Sequence, residues 1–131
     1  MHTLIRFYAQ AFLLGGEGII SLMHKLVILF HGPTDPTLDP RWPQFLHQAE
    51  AMPGLRREAH CRVEQMLYGS QPVRLLHELY FDTLADLQAG MASAAGVGAG
   101  QLLQAISAGQ FSLLVAEHRQ DEAQNLHPPK K

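Results

Sequence analysis

The sequence predicts an α+β domain: a four-stranded antiparallel sheet carrying its helices on one face. Three observations lead there. Continuous apolar runs of strand length stand near the two ends, at Lys25–Phe30 and Phe111–His118. Between them lie two further strand-like segments, Leu55–Leu67 and Val73–Asp82, joined across the turn-forming cluster Tyr68-Gly69-Ser70-Gln71-Pro72. Helical spacing fills the two remaining gaps. The order strand, helix, strand, strand, helix, strand is the ferredoxin-like βαββαβ plan.

Each element has its local reason. Gly32-Pro33-Thr34-Asp35-Pro36 breaks the chain after the first strand. A helix over Leu38–Met52 follows, with Trp42, Phe45, Leu46 and Ala49 on one stripe, Asp39 as N-cap and Pro40 at its first position. Pro53-Gly54 ends it. In the next strand Leu55, Ala59, Cys61 and Val63 share parity, and Arg56, Glu58, His60, Arg62 and Glu64 oppose them, which reads as one wet face. Thr83 caps a short helix with Asp86 three residues on, and Leu84, Leu87 and Met91 form its buried stripe. Ser93–Gly100 reads as a soft Ala/Gly loop, a flexible lid if it has a function, before a helical piece Gln101–Ala108 closed by Gly109.

Composition bounds the function. At 131 residues and 47% hydrophobic the chain suits one domain, residues 23–119, able to bury a core without staples. Ten Lys plus Arg against twelve Asp plus Glu give a net charge of −2 and no basic excess for a nucleic-acid backbone. Cys61 is the single cysteine, so no intrachain disulfide forms, which fits a reducing, cytoplasmic setting. No apolar run reaches the roughly 18 residues of a membrane helix.

Residues 1–22 read as an extension to the domain. Arg6 is a lone firm positive charge and the apolar core Ala11–Leu14 is short, a poor signal peptide. Two readings stay open. Gly15-Gly16-Glu17-Gly18 requires purine-rich codons just ahead of Met23, as a ribosome-binding site read as protein would. Alternatively Leu4, Phe7, Tyr8, Ala11 and Phe12 line a helix. Asp121–Lys131, within a polar tail from about residue 120, reads as loose.

Helices dry only one side of such a sheet, yet the outer runs are apolar at both parities. Val27 and Leu29 oppose Leu26, Ile28 and Phe30, and Phe111, Leu113 and Val115 oppose Leu114 and Ala116. A second copy of the sheet is the simplest cover, giving a homodimer through the sheet faces; the alternative is that Met1–Leu22 folds back over that face.

The strings HKLVILF, MPGLRR, LHELYFDTLADLQAGMAS and FSLLVAE resemble the EthD family, named for ethyl tert-butyl ether degradation, within the dimeric α+β barrel superfamily. The similarity runs from Met23 to His118. It implies a dimer with facing sheets and a small pocket between each sheet and its helices. It also implies a place among cofactor-free monooxygenases, lactone isomerases, polyketide cyclases, dehydratases and members without known activity. Where such proteins carry a histidine, about eight residues before the Pro-Gly, this chain has Phe45. His47 is two residues on, about 200° around the helix.

Eight histidines, His2, His24, His31, His47, His60, His77, His118 and His127, form no H-x-H or H-x-x-x-H pair, so no metal site is expected. Gly96, Gly98 and Gly100 do not match G-x-G-x-x-G, and no cofactor is expected. His31 and His77 fall on neighbouring strands and are the candidate catalytic groups, since an imidazole titrates near neutrality. Trp42, Phe45 and Phe81 are the candidate substrate-binding residues, lining an apolar pocket with His77. Cys61 is a nucleophile only if the hairpin register brings His77 to its face, and Glu78 seeks Arg56 or Arg62 across the hairpin. The expected function is handling of a small hydrophobic or aromatic molecule, by cofactor-independent catalysis or by binding alone. A roomy pocket at His31 or His77 favours catalysis, and a solid core at Trp42, Phe45 and Phe81 favours a binding or structural protein.

Overall fold

The computed structural model describes residues 21–126. The readings on residues 1–20 and on the last five residues lie outside them. Residues 24–116 form one compact unit; of the described residues, 21–23 and 117–126 belong to another. The elements run β1 (Ser21–Phe30), a 3₁₀ turn (Pro36–Leu38), α1 (Trp42–Glu50), β2 (Leu55–Arg62), β3 (Leu75–Phe81), α2 (Leu84–Ala92), α3 (Ala94–Ser107), β4 (Phe111–Gln120) and α4 (Ala123–Leu126). The four strands make one sheet in the order β2-β3-β1-β4, with β1–β3 and β2–β3 antiparallel. This is the ferredoxin-like arrangement that the element order predicts.

The core lies between the sheet and α1–α3. Leu26, Ile28 and Phe30 of β1 and Leu75, Leu79 and Phe81 of β3 meet Phe45 and Ala49 of α1, Leu87 of α2 and Leu103 and Ile106 of α3. Alternation along each strand sends every second residue here. The cap at Thr83 is as expected, its side chain accepting from the Asp86 N–H at 3.0 Å.

Several elements depart from the sequence reading. The first helix starts at Trp42 rather than near Leu38. Asp39 does not cap it; its Oδ1 accepts from the Arg41 N–H at 2.8 Å and from the Arg41 side chain at 3.0 Å, holding a turn. The β2–β3 pair opens early, at Arg62 and Leu75. There Arg74 turns to β1, its N–H donating to the Phe30 carbonyl at 2.8 Å and its guanidinium to the carbonyls of Gly32 and Pro33. Ala123–Leu126 forms a helical turn within the expected loose tail.

The glycine-rich segment is no loop. It is the first half of α3, a continuous helix from Ala94 to Ser107. Ser93 joins α2 to α3: its hydroxyl donates to the Gly90 carbonyl at 2.5 Å and accepts from the Gly96 N–H at 3.1 Å. Gly96 lies directly against the carbonyls of Gly90 and Met91, so the glycine there serves close packing of backbone on backbone.

The second sheet face is mixed. Leu29, Leu76 and Leu114 give it apolar surface, with Leu114 45% exposed, while Val27 on the same face is buried. Between them Lys25 pairs with Glu78 at 2.6 Å. Tyr80 donates to Glu78 at 3.1 Å and lies under the Arg57 guanidinium, 4.2 Å from ring centre to cation. Glu78 therefore finds Lys25 on β1 rather than Arg56 or Arg62; those two face Asp82 and Asp35.

On the helix side, His24 is buried opposite Phe81, and among the described residues neither ring nitrogen finds a hydrogen-bond partner. A polar ring there forfeits its hydration without return. His24→Leu is expected to raise stability by about 1 kcal/mol, read as a higher urea midpoint at unchanged slope.

Candidate functional site

The site is built by one extra residue. Leu55 pairs with Phe81, but Arg57 pairs with Tyr80, so Arg56 is a β-bulge. Beyond it the parity of β2 is reversed. Glu58, His60 and Arg62 stand opposite Leu79, His77 and Leu75, on the face that the helices cover. The row read as a wet outer face is turned inward at the sheet edge beside α1. Cys61 stands opposite Leu76 on the other face, away from His77.

His77 is 1% exposed. Its Nε2 lies 2.8 Å from Glu58 Oε2 and its Nδ1 3.0 Å from His60 Nδ1. The protons on this chain follow from its ends. A carboxylate only accepts, so His77 donates through Nε2. Burial pushes the His77 pKa down to about 4, with the Glu50 and Glu78 carboxylates opposing, so the ring is neutral at pH 7 and Nδ1 is an acceptor. His60 must then donate through Nδ1. Its own pKa is lowered, by burial first and by His77 and Arg62 next, which leaves a neutral ring with a lone pair on Nε2.

The surroundings are aromatic and acidic. Trp42 stands edge-on to both imidazoles, 5.9 Å from His60 and 5.8 Å from His77, and Phe45 lies 5.9 Å from His77. Hydrogen bonding with Glu58 pushes the Glu50 pKa up, and the like charge and partial burial add to it. On the far side Arg62 pairs with Asp35 at 2.7 Å. The Thr37 hydroxyl and then Arg62 hold the Asp35 carboxyl down at about 2. Among the described residues no group of three or more His, Cys, Asp or Glu is placed to hold a metal ion. No helix among them is long and apolar enough to cross a membrane.

The predicted residues separate. Trp42 and Phe45 do flank His77. Phe81 is fully buried at the other end of β3, against Gly90 and Gly54, in the core. His31 does not meet His77. It follows β1 directly, with Nδ1 2.9 Å from the Pro72 carbonyl and Nε2 2.8 Å from the Ser112 hydroxyl. His47 is exposed on α1. His60 and Glu58 were the residues not singled out as chemistry. Their signal was the alternation Glu58, His60, Arg62, whose direction a bulge decides.

No family model and no curated protein matches the sequence. Solved structures do match. An ethyl tert-butyl ether (EthD) family protein from Bacillus halodurans superposes with a TM-score of 0.64 at 23% identity, over 73% of this chain and 98% of that one. A dimeric protein of unknown function and ferredoxin-like fold from Bacteroides fragilis gives 0.50 at 21% identity, over 73% and 96%. The chain thus has the fold of an EthD family protein, the family that its strand and helix strings resemble.

Proposed function

We propose that this chain is a dimeric EthD-like protein that takes up a small hydrophobic or aromatic molecule at the α1–β2 edge and moves a proton with His60, without a cofactor. The observation that carries the reading is the chain Glu58–His77–His60, which leaves the Nε2 lone pair on His60, the exposed member. A base fixed in tautomer by its neighbour, and that neighbour by a carboxylate, is the arrangement that proton abstraction needs. When Nε2 takes a proton, the imidazolium charge is shared through His77 toward Glu58. His77 is thus a positioning residue and His60 the group that meets substrate. Trp42, buried behind the pair, packs against both imidazoles and holds them in place.

Self-association is supported by the partly exposed apolar strip Leu29, Leu76 and Leu114 and by the dimeric state of the Bacteroides fragilis neighbour. A second reading, binding without turnover, is favoured by the burial of Trp42, Phe45 and Phe81 in the core. A panel of quinols and lactones, supplied without cofactor, separates the two. Turnover is expected to fall by about 100-fold in His60→Gln with melting unchanged. Binding without product across the panel would leave the second reading standing.

A further inference from the structure

At the His60 edge a single chain lacks the apolar wall that a hydrophobic ligand needs. Trp42 and Phe45 are buried behind the imidazoles, and the side chains flanking His60 on the same face of β2 are Glu58 and Arg62. The opposite edge of the sheet has the reverse. There a groove of about 470 Å³ runs between α3 and β4, lined by Val97, Leu103, Phe111 and Leu113 among others, with no ionisable side chain. Val97 and Leu113 are exposed in it. We propose that a second copy of this chain completes the ligand site: its α3–β4 groove lies beside the β2 edge, and the partner's Leu113 and the partner's Val97 face His60 across a shared cleft for one small apolar molecule. The inference rests on the reading of His60 as the group that meets the ligand.

The uncovered sheet face sets the geometry. It is apolar at one end of the strands, where Leu29 stands opposite Leu76, and polar at the other, where Lys25 stands opposite Tyr80 beside Arg57. A two-fold axis along the strands stacks apolar end on apolar end, whereas an axis across them lays Leu29 and Leu76 on the charged end. The axis along the strands also exchanges β1 with β3, which brings the partner's Glu78 over the strand that carries Lys25. Given the order β2-β3-β1-β4, it sets each β2 edge against a β4 edge. Pairing those edges satisfies the open backbone groups of both and closes the two sheets into one barrel with the helices outside. The levels match as well. His60 stands opposite His77, and His77 opposite Ile28. The His31 N–H donates to the Gln110 carbonyl at 3.0 Å, and counting back along β1 and forward along β4 from that bond puts Leu113 opposite Ile28. His60 and the partner's Leu113 therefore meet at one height, both on the outward, helix-bearing side.

Paired cysteines read this arrangement without a substrate. In the full chain with Cys61→Ser, His60→Cys and Leu113→Cys stand three strand spacings apart, roughly 14 Å, too far for a disulfide within one chain. Oxidation by copper phenanthroline is expected to convert most of the double variant to a covalent dimer and to leave each single variant uncrosslinked. Glu58→Cys with Val115→Cys, the neighbouring pair of facing positions, repeats the test if His60→Cys fails to fold. A covalent dimer from either single variant, or none from both double variants, overturns the proposal. Titration of the full chain with 8-anilinonaphthalene-1-sulfonate reads the shared wall. Its affinity should fall about 10-fold in Val97→Asp and equally in His60→Asp, at unchanged helicity and dimer mass, because residues at opposite edges of one chain act on one site only when two chains share it. A loss confined to one of the two variants overturns the proposal. Absence of turnover on the quinol and lactone panel counts against proton transfer by His60 and leaves both of these results standing.

Discussion

Acidification from pH 6.5 to pH 4 is expected to cost the fold about 3 kcal/mol through His77 alone. The imidazole titrates near 6.5 in the unfolded chain and near 4 when folded. Between those values the unfolded chain binds a proton that the native state refuses. Stability is therefore complete above 6.5, declines as pH falls, and levels off below 4 as far as this group is concerned. His60, lowered for the same first reason, acts in the same direction. Glu50 opposes, because its raised pKa lets the native state take up a proton sooner than the unfolded one. Asp35 adds its own loss in a lower window, between 3.8 and about 2. Urea denaturation at half-unit pH intervals reads the profile. His77→Leu should flatten it between 6.5 and 4, whatever it does to the plateau. An equally steep slope in that variant would show that the pH dependence comes from elsewhere.

Gly96→Ala and Gly100→Ala, four residues apart on one helix, are expected to move stability in opposite directions. A methyl at residue 96 would run into the carbonyls of Gly90 and Met91, which are backbone and cannot swing away. The helices must separate, and the cost is about 3 kcal/mol. At Gly100 no described residue lies within 4 Å of the same methyl, so the gain is that of replacing glycine in a helix, about 0.5–1 kcal/mol. Urea midpoints for the two variants check both signs. A mild Gly96→Ala would mean that α2 and α3 are not tightly joined at Ser93.

The sheet and its capped second helix were legible because local chemistry and global packing agree there. Lys25–Phe30 and the Leu75–Phe81 run carry apolar residues at strand spacing, and Thr83 stands where a cap belongs. Trp42 and Phe45 were placed beside His77 from the stripe of one helix. Two things were hidden. Three glycines in five residues weaken helix propensity, so Gly96–Gly100 reads as loop; tertiary contact, the approach of α3 to the end of α2, outweighs propensity. The direction of Glu58, His60 and Arg62 was hidden too, because alternation gives parity but a bulge decides which parity faces in. His77 stands on β3, the neighbour of β1, but His31 lies just past the end of β1, because sequence spacing does not fix where a strand stops or which face its last residues take.

The extra residue at Arg56 has an evolutionary reading. Removing its codon would leave Leu55 followed directly by Arg57 and Glu58, and plain alternation would still turn Glu58, His60 and Arg62 toward the helices. The cluster therefore tolerates the gain or loss of these three nucleotides, because the fold absorbs the added residue as a bulge. Flattening the bulge while keeping the residue is what would turn the row to the opposite side of the sheet.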